Sequence, residues 1–225
     1  MRLVIKIGGY LFPSGLDIER IRSFVSVLRK IRSRGHSLII VAGGGVNSRT
    51  YIKAARELGG DESFCDEVGI RFARLNALLL ISALGDDAYP EVPENVAALK
   101  NYCQSGKTVV MGGLQPGQST NAVAAVAAEV SGADMLINAT DVDGVYTSDP
   151  KTHPDAKRLE EVSVKQLLEM AVNEEVSAGG YKLLDPVAVK IIARSRIPTV
   201  ILNAEDPENI ARAVEGKRVG TRVTF

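Results

Sequence analysis

Tryptophan is absent from the 225 residues, aromatics make up 5%, and cysteine and histidine occur only twice each. With so few stacking side chains, and no basic stretch interleaved with them, a groove for single-stranded nucleic acid is excluded. Cys65 and Cys103 do not form a CxxC pair. They read as reduced thiols of a cytosolic chain, although composition alone leaves a bond between them open. His36 and His153 lie in polar stretches and no G-x-S-x-G elbow is present, which removes a Ser/His/Asp hydrolase. There is also no excess charge: 27 basic residues balance 27 acidic ones. No whole-molecule field recruits nucleic acid or an anionic membrane, so any affinity for phosphate has to come from local placement. No apolar run approaches the ~18 residues of a membrane span, and Met1–Lys6 is no secretory leader. The expectation is a cytoplasmic protein with neither nucleic acid nor membrane as partner.

What is present is 45% apolar residue content, ample for a core, arranged as short β-branched runs alternating with helical patterns. That alternation predicts an α/β chain in which a mostly parallel sheet is covered by helices on both faces, a three-layer α/β/α sandwich. Strands are expected at 3–7, 37–41, 88–92, 108–111, 135–139, 198–202 and, as an edge, 219–225. Helices are expected at 17–34 after the N-cap Asp17, then 47–58, 62–84, 94–104, 122–130, 164–171, 186–195 and 207–214. A glycine turn is expected at Gly179-Gly180. No repeat or low-complexity linker divides the chain, which reads as a single domain over 1–225.

Three of these strands end in glycines: Lys6-Ile7-Gly8-Gly9, Gly43-Gly44-Gly45 and Gly112-Gly113. Carboxyl ends of parallel strands share one edge, where such folds bind ligands. Glycine lets backbone N–H groups approach phosphate oxygens, and a helix starting just after adds its positive end. One pair alone would be a tight turn; three on one edge point to phosphate. The rival motif at Ser105-Gly106-Lys107-Thr108 has the GKT of a P-loop, but Asn101 stands where the first glycine belongs and the segment precedes its strand. A dinucleotide fingerprint G-x-G-x-x-G after the first strand is missing as well.

The order of these segments, followed by Gly113-Leu114-Gln115-Pro116-Gly117-Gln118-Ser119-Thr120 and by Thr140-Asp141-Val142-Asp143-Gly144-Val145, resembles the amino acid kinase family. Phe64-Cys65-Asp66 through Asn76, the Pro116–Thr120 loop and Asp185–Ser195 are similar to its archaeal-type UMP kinases. The resemblance implies transfer of the γ-phosphoryl group of ATP to UMP with Mg²⁺, an acceptor-binding part at about 1–130 and an ATP-binding part at about 131–225, and a homo-oligomer, a hexamer in relatives.

Residue by residue, it implies that Lys6, Arg49 and Asp141 are catalytic, and that Lys6, Ile7, Gly8, Gly9 and Tyr10 lie against the ATP phosphates. Gly43 and Gly44 would offer backbone donors to the acceptor phosphate, with Gly45 and Arg49 between the two nucleotides. Asp66 would accept from the UMP ribose, Leu114 to Thr120 would wrap its uracil and phosphate, and Thr140, Tyr146 and Asp149 would meet ATP. The residue types agree with the chemistry, since phosphoryl transfer needs charge neutralisation and alignment rather than a protein nucleophile. Blander roles stand beside these: Asp143 and Asp149 as turn caps, Asp66 as a solvated helix residue, Tyr146 as packing. Tyr10 stands where many relatives have a small residue, and Lys182 reads as a surface lysine.

Other acceptors define the alternatives. An isopentenyl phosphate kinase calls for a histidine after the second glycine segment, where Gly45-Val46-Asn47-Ser48-Arg49 has none. Carbamate and amino acid kinases have no use for a ribose-binding Asp66, and a non-catalytic oxoanion-storage relative has no use for Lys6 with Asp141.

Overall fold

A computed structural model describes residues 1–148, 153, 155–173 and 184–225. Seven strands form one sheet: β1 (Arg2–Ile7), β2 (Ser37–Ala42), β3 (Val109–Met111), β4 (Met135–Thr140), β5 (Glu161–Ser163), β6 (Thr199–Asn203) and β7 (Thr221–Thr224). Their order is β3-β2-β1-β4-β6-β7-β5, and every pairing is parallel except β6 with β7. β1 is an inner strand, third of the seven, with Lys6 in register with Val41 of β2 on one side and Asn138 of β4 on the other.

The sheet separates two cores. Leu3, Ile5 and Ile7 of β1 face a cluster that includes Phe24, Leu28 and Ile31 of α1 (Ile18–Ser33), Ala77, Leu80 and Leu84 of α3 (Glu62–Leu84), and Ile210 of α8 (Glu208–Val214). Val4 faces the opposite cluster, built from α4 (Val96–Cys103), α5 (Thr120–Ser131), α6 (Val164–Asn173) and α7 (Pro186–Ser195). Alternation along β1 therefore puts Lys6 on the second face, below the starts of α5 and α7. The remaining helix, α2 (Gly45–Glu57), packs on α3 at the end of β2.

Caps follow the residue types. Asp17, Asp61, Asn95, Ser119 and Asp185 each accept from backbone N–H groups in the first turn of α1, α3, α4, α5 and α7. Three expectations need correction. Residues 88–92 form no strand: only Ala88 bridges to Thr108, and Pro90, which has no N–H, ends the pairing. The run after 219 is no sheet edge, because β5, too short to stand out in the sequence, covers β7. Helix α4 begins after Asn95 rather than at Glu94. Both cysteines are free. Asp149, Gly179, Gly180 and Lys182 lie outside the described residues.

Candidate active site

The carboxyl end of β1 runs from Lys6 into Gly8, Gly9 and a 3-10 turn over Gly9–Leu11. Beside it β2 ends at Ala42 and is followed by Gly43, whose N–H donates to the Ile7 carbonyl at 3.1 Å, and β4 ends at Thr140. A β-carbon built on Gly43 would lie 3.1 Å from the Ile7 carbonyl and 3.8 Å from Thr120 Oγ1. One built on Gly9 would lie 3.7 Å from Arg49 Nη2. The first two glycine segments, the first turn of α2 and the start of α5 thus meet over Lys6.

Two glycines are required by the backbone. Gly45 has φ of +75°, and a β-carbon there would come within 2.5 Å of the Phe12 carbonyl oxygen. At Gly112 a β-carbon would lie 2.5 Å from the Ala73 carbonyl carbon. The Gly112-Gly113 pair is therefore explained by the close approach of α3 to the end of β3, which corrects the reading of it as a third phosphate loop. The amides sort likewise. Those of Gly8 and Gly43 are engaged by the carbonyls of Ala139 and Ile7. Gly44 and Gly45 stand at the start of α2, where N–H groups have no intrahelical acceptor and the helix dipole is positive.

Lys6 is the electrostatic centre. Burial lowers its pKa to about 8, while the carboxylates of Asp141 and Asp185 pull it back up. Asp141 is exposed just past β4 and accepts from Thr140 Oγ1 at 3.1 Å. Asp185 was not singled out as a site residue in the sequence, where it stands only as the first residue of the family-like stretch Asp185–Ser195. It does cap α7, accepting from the N–H groups of Val187 and Ala188, but its other oxygen also accepts from Ser119 Oγ. The N-termini of α5 and α7 are locked together beside Lys6. Asn138, buried and next to Lys6 in the sheet register, was missed as well. Its sequence signal is a polar residue inside the apolar run Met135–Ala139.

The second cation, Arg49, lies exposed one turn into α2 above Gly9 and makes no ion pair among the described residues. Asn76 of α3 donates through Nδ2 to the Gly43 carbonyl at 2.8 Å. Arg74 holds the segment before α5, its Nε donating to the Gly113 carbonyl at 3.1 Å and its Nη2 to that of Leu114 at 3.3 Å. Asp66 accepts from the Gly117 N–H at 2.7 Å. Loop 114–119 is thus fastened at both ends, and the Gln118 side-chain oxygen is sealed from solvent with no hydrogen-bond partner among the described residues. Gln115 and Pro116 lie between those fastenings. Tyr146 stands further out, in the loop after β4, where it bridges to Arg158.

Two cations of different kinds, free helix-start amides and flanking carboxylates on one sheet edge suit the handling of phosphate esters. The amino acid kinase family model matches residues 1–203, and the chain belongs to that family. Within it, the chain is 46% identical to the uridylate kinase of Methanothermobacter thermautotrophicus over 223 residues, covering 99% of both chains. It is 47% identical to the uridylate kinase of Methanoculleus marisnigri, covering 99% of this chain and 95% of that one. Among solved structures, the uridylate kinase from Archaeoglobus fulgidus superposes with a TM-score of 0.89 at 42% identity over the full length of both. The UMP kinase from Bacillus anthracis, at 23% identity and a TM-score of 0.83 over 99% of this chain, has the same fold.

Proposed function

We propose that the protein is a UMP kinase of the cytoplasm, transferring the γ-phosphoryl group of ATP to UMP to give UDP and ADP. The observation that carries this reading is the meeting of Lys6, Arg49 and the starts of α2 and α5 over the end of β1. It is supported by full-length likeness to uridylate kinases at 46% identity. Lys6 neutralises charge that develops on the transferring group, and Arg49 aligns phosphate oxygens with its two-pronged guanidinium. The amides of Gly44 and Gly45, with the start of α5, receive the acceptor phosphate. Loop 114–119 closes over the base and Asp66 meets the ribose.

Mg²⁺ accompanies the donor and balances the charge of its phosphates. The chemistry of the donor set fits an ion held chiefly by phosphate oxygens and water: among the described residues no group of three His, Cys, Asp or Glu could hold a metal alone, and Asp141 and Asp185 are the carboxylates that act on Lys6. The assembly follows from α3. Leu75 and Leu78, exposed at 60% and 49%, flank an apolar cavity of about 430 Å³ beside Phe12 and Leu16. The reading is that copies of this chain cover that face in a homo-oligomer.

ADP release measured side by side with UMP, CMP, carbamate and isopentenyl phosphate tests the acceptor. UMP is expected to give the highest kcat/KM. A higher value with carbamate or isopentenyl phosphate, or no turnover with any of them, overturns the reading.

A further inference from the structure

Thr221 opens β7 and is completely buried, with a hydroxyl that can give one hydrogen bond while accepting another. Both capacities are used, on two separate stretches of chain. The Val145 N–H donates to Thr221 Oγ1 at 2.8 Å, and the hydroxyl donates on to the Leu159 carbonyl at 2.5 Å. Those two residues face each other across the loop after β4. The Leu159 N–H donates to the Val145 carbonyl at 2.8 Å, Tyr146 bridges to Arg158, and the Thr147 N–H donates to the Lys157 carbonyl at 3.0 Å. One hydroxyl on β7 thus pins two paired arms, 145–147 and 157–159, to the sheet.

The neighbours of Thr221 repeat the fastening. Arg158 Nη1 donates to the Gly220 carbonyl at 3.1 Å, and the Arg222 N–H donates to the Glu160 carbonyl at 2.9 Å. From the loop side, a β-carbon on Gly144 would collide with the Thr221 hydroxyl, so the glycine is what lets the chain descend onto it. A strand residue needed only for pairing with β5 and β6 has no use for these contacts, and valine would fill the space. The hydroxyl is explained by the Val145 N–H, which would otherwise be buried without an acceptor.

Position decides which substrate the arms serve. In the sheet order, α2 and loop 114–119 stand at the ends of β2 and β3, whereas the arms leave β4, with β6 and β7 beyond it. Lys6 on β1 lies between the two groups. A transfer across Lys6 that takes its acceptor on the β2 side takes its donor on the β4 side, and Tyr146, partly buried, is the aromatic residue that the arms hold there.

We propose that Thr221 is a positioning residue for the donor nucleotide, touching no substrate itself but fixing the paired arms that present Tyr146 on the donor side of Lys6. This rests on the kinase reading above. It makes β7 part of the support of the site, although the strand lies past Ser195, where the last of the family-like segments ends.

Steady-state kinetics of wild type, Thr221→Val and Thr221→Ser test this, with each of ATP and UMP varied at saturating levels of the other, well below the melting temperatures of all three proteins. Thr221→Val should raise KM for ATP roughly tenfold, the scale of one lost hydrogen bond, and leave KM for UMP and kcat within about twofold of wild type. Thr221→Ser keeps the hydroxyl and should bring KM for ATP back to within about threefold of wild type. A residue that serves folding alone would lower the melting temperature of Thr221→Val and leave KM for ATP where it was. That result overturns the proposal, as does an equal rise in both KM values or a Thr221→Ser variant no better than Thr221→Val. Should Thr221→Val not fold, hydrogen exchange in wild type decides: the non-hydrolysable ATP analogue AMP-PNP with Mg²⁺ should slow exchange in residues 219–225, and UMP should not. Exchange there that ignores AMP-PNP, or responds equally to UMP, overturns the proposal. A wild type that phosphorylates no UMP at all is the separate outcome that removes the kinase reading, and the proposal falls with it.

Discussion

The carboxylate of Asp66 accepts from the backbone N–H of Gly117 at 2.7 Å, joining α3 to the loop that leads into α5. One oxygen is occupied by the protein's own backbone, so Asp66 shapes the loop, and the proposed ribose contact falls to the rest of the carboxylate. Removal of the 2′-hydroxyl from UMP is expected to cost about 1 to 3 kcal/mol in wild type, because part of a carboxylate is left without its partner. In Asp66→Ala, kcat/KM for UMP should fall and the UMP/dUMP ratio should shrink toward one. If kcat/KM for the two nucleotides falls equally and the ratio survives, Asp66 only fastens the loop.

Lys6 gives a pH dependence. Its charged form is the working one, and with a pKa held at about 8 the rate should decline as pH rises through that value. Asp185→Asn removes one of the two carboxylates that pull the pKa up, so the alkaline limb of the kcat/KM profile should move to lower pH. An unmoved limb would separate Asp185 from Lys6. Stability runs the other way: between about pH 8 and the ordinary 10.5 the unfolded chain binds more protons than the folded one, so the contribution of Lys6 to stability rises with pH across that window. Lys6→Met should therefore melt higher than wild type at neutral pH, with the gap narrowing as pH climbs through the window.

Arg49→Lys keeps the charge and loses the fork. With the guanidinium over Gly9 and no ion pair among the described residues, its proposed task is to take phosphate oxygens two at a time. Steady-state kinetics should show kcat lowered by at least about tenfold, the scale of one lost charge-assisted hydrogen bond. Kinetics equal to wild type would make Arg49 a solvated helix charge.

Asn76 is a support of a different kind. It is buried in α3 and its Nδ2 holds the carbonyl of Gly43, fixing the end of β2. Asn76→Ala leaves that carbonyl unpaired at a cost of about 1 to 3 kcal/mol. In a chain of this length the melting temperature should drop by roughly 2 to 4 °C per kcal/mol, which differential scanning calorimetry reads directly. KM for UMP should rise with it.

Much of this was legible in the sequence where one local signal sufficed. The helices 62–84 and 186–195 agree with the structure to the residue, because Asp61 and Asp185 cap the starts and Gly85 or Arg196 takes a positive φ at the ends. The first two glycine segments were readable because strand ends in a parallel sheet converge, while Lys6 and Arg49 stood out through the family resemblance. What stayed hidden depends on distant pairs. The strand β5 is three residues whose identity comes only from pairing with β7, 61 positions away in register. The contact by which Asp185 holds Ser119 beside Lys6 stayed hidden because it spans 66 residues. The Gly112-Gly113 pair copied a phosphate loop because close helix approach demands the same residue.

The central claim is that this edge moves a phosphoryl group from ATP to UMP, with Lys6 stabilising the transfer. Label from γ-³²P-ATP followed into the β-position of UDP, for wild type and for a folded Lys6→Ala variant, tests it most directly. The account predicts rapid transfer to UMP in wild type and turnover lower by roughly 10² to 10³ in Lys6→Ala. Label that never reaches UMP, or that reaches it equally fast without Lys6, would contradict it.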